Sequence, residues 1–546
     1  MADERLAAEG TAVPGAQSGR SADPGGPGGP KEAALERAGR AAGEGEAPPA
    51  GAEPAAGPGG SEPVRSAVRD DQGVRVLRIA RLDRRGFGQA EVERRGRLRP
   101  VAVPYTLPGE TVRAVLTDWR FKGHRIAAVQ TVLERHPARI EPRCPHFGTC
   151  GGCTWQHVDY AAQVAFKTER IRDLLEAHGL PADVVRPAIG MDAPWHYRNK
   201  MEFTFAPDGA PGLNRLGHYD RPVPLDVCYI AHPHMFRMAA ETAAWARAHG
   251  LPGYDKRRHE GLLRYLMVRR ARSDGAVLVA LFAARPPDDP ALQAAARDWV
   301  ARLQAAADEA GFRLAGLYWV AYGGLSDAVG YDDVRLLAGE GFLVDTLGGM
   351  RYRLLPQTFF QTNPVQAEAL LEAALALAEP EPDMRAIDLF SGVGTFTLPL
   401  ARKVSAAVGV ELVPESVEAA WENARENAVP NVTFLADDVR RGLDRAVEHL
   451  GGRVDLLFLD PPRSGAGGKV MRKIGRLGPP VVIYVSCNPE TFAPDVRELS
   501  AFGYRLVAVQ PVDMFPQTAH VELVARLERA GRSSEQTPRN QAPDRS

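Results

Sequence analysis

Four short segments of this 546-residue chain carry groups that could act together. Cys487 follows the apolar run Val481-Val482-Ile483-Tyr484-Val485 and opens Ser486-Cys487-Asn488-Pro489. Leu459-Asp460-Pro461-Pro462-Arg463 ends another apolar run, and its prolines stiffen the backbone where a cofactor and a substrate would meet. Phe515-Pro516-Gln517-Thr518-Ala519-His520-Val521-Glu522 brings a carboxylate to the start of a further strand. Asp388-Leu389-Phe390-Ser391-Gly392-Val393-Gly394-Thr395 has the glycines of a strand-to-helix turn, and Glu411 lies 23 residues beyond Asp388. A lone thiol on a strand end is ordinarily a small buried hydrophobe; its Asn-Pro sequel and these neighbours point to a reactive one.

Glycines at such a turn let a ligand approach the backbone, and the following helix start offers unpaired N–H groups. An acid at the end of the next strand can accept hydrogen bonds from both hydroxyls of a ribose. Thr397 stands where a dinucleotide fingerprint needs a third small residue, and an acid preceding the glycines suits S-adenosylmethionine better than a pyrophosphate. Enzymes that methylate an amino nitrogen often carry an aromatic residue where Arg463 stands, so methylation of carbon fits better. Carbon 5 of uracil is a poor nucleophile until a thiolate adds at carbon 6; the resulting enolate can attack a sulfonium methyl group. Cys487 would supply the thiolate and Glu522 would then accept the carbon 5 proton. An ordinary thiol is only a few per cent ionised near neutral pH, so local activation is expected.

These segments need a scaffold that delivers them to one edge. From Phe342 on, apolar runs (RAIDLF, AAVGVEL, VTFLADD, VDLLFLD, PVVIYVSC) alternate with helical segments such as 415–427. That is the pattern of a doubly wound parallel sheet, which places ligands at the carboxyl ends of its strands. Residues 141–341 mix strands and helices and read as an α+β domain, with a helix over 160–178 whose apolar side is Val164, Ile171, Leu174 and Leu175. Over 64–140, short β-branched runs separated by glycine and proline predict a small all-β barrel. Residues 65–140 hold 17 Lys/Arg against 8 Asp/Glu, and Trp119, Phe121, Lys122 and His124 suit single-stranded bases, so a nucleic-acid face is expected there. Residues 1–60 contain 38 Ala, Gly and Pro but four large apolar residues or Cys, too few to offset the entropy of ordering. Disordered tails are therefore expected over 1–63 and 530–546.

The formal net charge of −1 excludes a uniformly basic protein. No run approaches the roughly 20 apolar residues of a membrane helix, and the N-terminus lacks a signal pattern, so a cytoplasmic protein is expected. Five cysteines are too few for a disulfide scaffold. Besides Cys487 they are Cys144, Cys150, Cys153 and Cys228, spaced C-x5-C-x2-C with the fourth far downstream. Four such thiols could hold zinc or an iron–sulfur cluster, and spacing does not distinguish the two. The C-x3-C-x2-C arrangement of radical S-adenosylmethionine enzymes is absent.

With DLFSGVGTF, LDPPRSG, SCNPETF and FPQTAHVE in this order, the chain resembles the RNA uracil-5-methyltransferase family over residues 65–527, most closely the bacterial 23S ribosomal RNA members. Phe359-Phe360-Gln361-Thr362-Asn363 matches the family segment whose glutamine contacts the cofactor. The resemblance implies that Gln361, Phe390, Thr395, Glu411, Asp438 and Asp460 bind S-adenosylmethionine, with Thr395 replacing an asparagine of some members. It implies Cys487 as nucleophile and Glu522 as base. It also implies a 4Fe-4S cluster on the other four cysteines, a TRAM module of OB-type fold over 64–140, a class I methyltransferase domain over 342–529, and an RNA substrate, 23S ribosomal RNA ahead of transfer RNA. A monomer is the simplest assembly. A non-catalytic RNA-binding assembly factor on the same fold is the alternative from another class, and intact Cys487 and Glu522 weigh against it.

Overall fold

The computed structural model describes residues 73–530 apart from 95, 122, 219 and 326–329. The tail expected over 1–63, all but the first residue of that over 530–546, and Lys122 lie outside them.

Six strands between Val74 and Glu134 make one sheet, antiparallel except where Val101 and Ala102 of Arg97–Val103 pair in parallel with Arg125 and Ile126 of His124–Glu134. Alternation sets its faces. Val112 and Ala114 point into a core with Leu77, Val101, Val103 and Ala127, while Arg113 between them points out. The loop after Arg81–Leu82 is held by Asp83, whose carboxylate accepts from the amides of Arg85 and Phe87. At its tip Gly86 has φ +74°, and any side chain there would collide with Trp155 and Ala519. Trp155 Nε1 donates to the Gly86 carbonyl at 2.9 Å, so this loop is seated on residues from both later domains.

The central domain is a seven-stranded sheet. Its strand Val277–Ala283 is buried throughout, which explains why it reads as an unbroken apolar run. Val277, Val279, Leu281 and Ala283 face the helices Pro233–Ala248 and Pro290–Ala310 in a core with Trp245, Trp299 and Trp319. Leu278, Ala280 and Phe282 face the other way, into a core shared with the hairpin Leu343–Leu347 and Met350–Leu354 and the C-terminal sheet.

That last sheet has seven strands, ordered by their sequence in the domain as 3-2-1-4-5-7-6. The first five are parallel, as predicted; the last two, Tyr504–Val512 and Glu522–Arg529, run antiparallel to their neighbours. The helix Tyr160–Ala177, placed by sequence with the central domain, instead buries Ile171 and Leu175 among side chains of the C-terminal sheet. Segment 185–189 extends that sheet through bridges to Val509 and Val512. Buried Lys167 on this helix pairs with buried Asp513, and Gln163 bonds Gln517. No described helix is long and apolar enough to cross a membrane.

Candidate active site

The strand order brings the chemistry to one edge. Phe390 follows the strand Arg385–Leu389, Glu411 ends Ala406–Glu411, Asp460 follows Leu456–Leu459, and Cys487 follows Val481–Ser486. Glu522 begins its strand rather than ending it. Because that strand is antiparallel, with Ser486 paired to Leu523, its first residue arrives beside Cys487. A parallel strand there would have sent Glu522 to the far side of the sheet.

Cys487 is half-buried, and its thiol is pushed up to about 11 by burial, then by Glu522 and Asp460, with Arg463 opposing. Burial lifts Glu522, 5% exposed, to about 7, with Arg463 again opposing. Asp460 is raised well above the carboxylate range, first by burial, then by Glu522 and by Asp388. The three groups therefore feel one another at one site, and Cys487 and Glu522 share one guanidinium. Asn488 Nδ2 donates to the Arg463 carbonyl at 2.8 Å, fastening the two motif loops together. Above Cys487 opens a cavity of about 440 Å³ whose rim includes Arg463, Asn488, Thr518 and His520, and also Arg84, Phe87 and Phe121 of the N-terminal sheet and Arg170 of the helix Tyr160–Ala177. All three domains build it. A cavity this size lies within the range of small-ligand sites.

Next to it lies the glycine turn. Phe390 has φ +65°, a left-handed conformation uncommon outside glycine, so the backbone turns sharply just past the strand. Gly392 and Gly394 follow at φ +53° and +88°, and nothing lies within 4 Å of where a Gly392 side chain would start. One Glu411 oxygen accepts from the Gly392 amide at 3.1 Å and the other from Val413 at 2.9 Å, which fixes the carboxylate across the turn. Ser391 Oγ is buried without a partner. An open backbone cradle, an oriented acid and an orphaned hydroxyl are features that a nucleoside-bearing cofactor would satisfy. Asp388 is buried behind them; burial carries it to about 7, and Thr397 donates to it at 2.6 Å.

The other expected cofactor residues contribute less visibly. Asp438 lies past the third strand and caps the helix Val439–His449, accepting from the Arg440 amide and pairing with its guanidinium. Thr395 makes no side-chain hydrogen bond among the described residues. Gln361 is half-buried, and its carbonyl accepts from Asn199 Nδ2 at 3.1 Å. Sequence reasoning missed Thr397 as the Asp388 partner, as well as Arg84, Phe87 and Arg170. Arg84 and Phe87 were legible only as part of a basic, glycine-punctuated stretch, and Arg170 gave no signal.

Cys144, Cys150, Cys153 and Cys228 line one apolar recess with Leu213 and Ile230. All are free thiols. Burial pushes Cys150 to about 11 and Cys153 to about 12, and it raises Cys228; the thiols' proximity to one another adds to each. Four thiols in one recess are donors of the kind that hold zinc or iron–sulfur groups once deprotonated. Among the described residues, no three His, Cys, Asp or Glu side chains form a group able to hold a single ion. Gly152 lines both this recess and the cavity above Cys487.

Residues 343–530 match the family model described as tRNA (Uracil-5-)-methyltransferase. An uncharacterized RNA methyltransferase of Halalkalibacterium halodurans is 34% identical over 78% of this chain and 91% of its own. The chain belongs to the RNA uracil-5-methyltransferase family. A second family relative, an uncharacterized RNA methyltransferase of Gloeobacter violaceus, is 36% identical over 79% of this chain and 92% of its own. Among solved structures, the tRNA (uracil-54, C5)-methyltransferase of Pyrococcus abyssi in complex with S-adenosyl-L-homocysteine is 26% identical, with a TM-score of 0.64 over 83% of this chain and all of its own. The family fold thus extends beyond the matched segment into the central and N-terminal sheets.

Proposed function

We propose that this protein transfers the methyl group of S-adenosylmethionine to carbon 5 of a uridine in 23S ribosomal RNA. The observation that carries the reading is the convergence of Cys487, Asp460 and Glu522 at one edge of the sheet, with Cys487 lining a cavity, in a chain of this family. The cofactor supplies an electrophilic methyl group; Glu411 and the turn 390–395 hold its nucleoside, with Gln361, Asp438 and Asp460 completing the binding set. Cys487 adds to carbon 6 of the uracil, carbon 5 takes the methyl, and Glu522 accepts the carbon 5 proton as the thiol leaves. Burial holds the Cys487 thiol up in the free protein while Arg463 favours its anion, so addition to the ring needs further activation when substrate is bound. A stacked base shields carbon 6, so the uridine enters extruded or from a single strand. The N-terminal sheet, read as a TRAM module, supplies the surrounding RNA contacts. The four remaining cysteines are read as ligands of a 4Fe-4S cluster, a reading supported by their common recess.

A transfer RNA substrate is the second reading, favoured by the activity named for the Pyrococcus abyssi structure. Purified protein incubated with 23S ribosomal and transfer RNA transcripts and S-adenosylmethionine should yield 5-methyluridine in the former. Product confined to transfer RNA would select the second reading. Cys487→Ala should abolish product in either, and sustained turnover by that variant would sink the covalent route.

A further inference from the structure

The cavity over Cys487 carries more positive charge than its chemistry uses. Arg84, Arg170 and Arg463 reach its rim from the loop after Arg81–Leu82, the helix Tyr160–Ala177 and the Asp-Pro-Pro-Arg segment. Arg170 Nη1 donates to the Ala519 carbonyl at 2.8 Å and Nη2 stands 3.6 Å from Glu490, while Nε is enclosed without an acceptor. Arg84 lies close enough to repel Arg170. The acid nearest Arg84 in the chain, Asp83, is engaged by Arg85. Neither Arg84 nor Arg463 has an ion-pair partner among the described residues. Glu490 is the single carboxylate on the rim among the described residues. Like charges gathered from three elements repel, and beyond what Glu490 offsets at Arg170 the arrangement gains stability when a further anion joins it. A nucleotide whose base reaches Cys487 brings such an anion on either side of its ribose, and a guanidinium fork matches phosphate oxygens two at a time.

We propose that Arg84, Arg170 and Arg463 form a clamp for the backbone phosphates flanking the uridine that enters this cavity, with Arg170 as the positioning residue. The proposal rests on the uridine reading above. Half-buried Phe121 and Leu216 add apolar surface to the same rim, so a base entering beside the clamp meets apolar side chains. Glu490 holds Arg170 in place in the free protein and yields it to phosphate on binding.

The test measures methylation of 23S ribosomal and transfer RNA transcripts by wild-type protein, Arg84→Ala, Arg170→Ala and Arg170→Lys over a range of KCl concentrations. Calorimetry with S-adenosylmethionine on each variant reports whether the cofactor site is intact. Each alanine variant should raise KM for RNA at least about tenfold, the scale of one missing charge-assisted bond. It should change kcat less and leave cofactor affinity alone. The slope of log(kcat/KM) against log[KCl] should fall by about 0.7 for each phosphate that is no longer neutralised. Arg170→Lys should recover the slope but only part of the affinity, since it keeps the charge and loses the fork. RNA KM and slope equal to wild type in both alanine variants would overturn the clamp while leaving the methyltransferase reading intact. If Arg170→Ala also loses cofactor binding, Arg84→Ala decides, because Arg84 is exposed and its side chain bonds no described residue. Wild-type protein that forms no 5-methyluridine in either transcript would overturn both readings.

Discussion

Glu522→Gln should separate what this residue does for chemistry from what it does to the fold. The carboxyl is enclosed at the start of its strand and rises from 4.5 to about 7, chiefly through burial. Between those values the folded chain holds a proton that the unfolded chain has released. Stability therefore falls as pH climbs through this window, and the deficit is complete above about 7. At 1.36 kcal/mol per pH unit, the rise corresponds to about 3 kcal/mol. Glutamine keeps the shape and cannot ionise, so the variant should resist urea better than wild type at pH 8 by up to about 3 kcal/mol, with the gap closing toward pH 4.5. Urea midpoints at several pH values read this directly. Removing that charge also relieves Cys487, whose thiol should alkylate faster at fixed pH. In the presence of RNA and cofactor the variant should stall after methyl transfer and accumulate a denaturation-resistant RNA–protein adduct. A stability difference that does not change with pH, or a variant weaker than wild type at pH 8, would refute the argument that Glu522 is held ionised against its surroundings.

Other perturbations probe the rest of the frame. Glu411→Ala removes the oriented acid across the turn and should weaken S-adenosylmethionine binding at least about tenfold by calorimetry, with the folded state intact. Lys167→Met leaves Asp513 buried and unpaired and should lower stability by about 3–5 kcal/mol in urea titration; a loss under about 1 kcal/mol would show that the pair is not needed to join helix and sheet. Cys228→Ser should reduce the iron and sulfide of anaerobically purified protein to background, and unchanged content would remove it from the ligand set.

The parallel strands, the glycine turn, the acid beyond it and the thiol at a strand end were all legible in the chain, because each depends on local pattern: apolar runs of strand length, glycines where φ must be positive, motif residues at strand ends. What was hidden depends on partners distant in sequence. Lys167 and Gln163 lie on a helix whose periodicity marks an apolar side but cannot say which sheet it meets; their partners Asp513 and Gln517 come some 350 residues later. Arg170 looks like any charged helix residue until Ala519 and Glu490 fold beside it. Asp438 follows an undistinguished strand, and its carboxylate is engaged at a helix start. Tyr504–Val512 carries no motif that announces it, and the reversed direction of Glu522–Arg529, which inserts between it and Val481–Ser486, could not be read from composition.

The central sheet sandwiched between two apolar cores has an implication for how this protein can be taken apart. Cutting the chain near Phe342 to isolate the catalytic half would strip Leu278, Ala280 and Phe282 from the hairpin they cover and orphan Asp513 from Lys167. Such a fragment would be sticky and short of a wall at the cavity above Cys487. The cavity is thus bound to the intact polypeptide, and variation in one lobe must be answered by the others if it is to keep its shape.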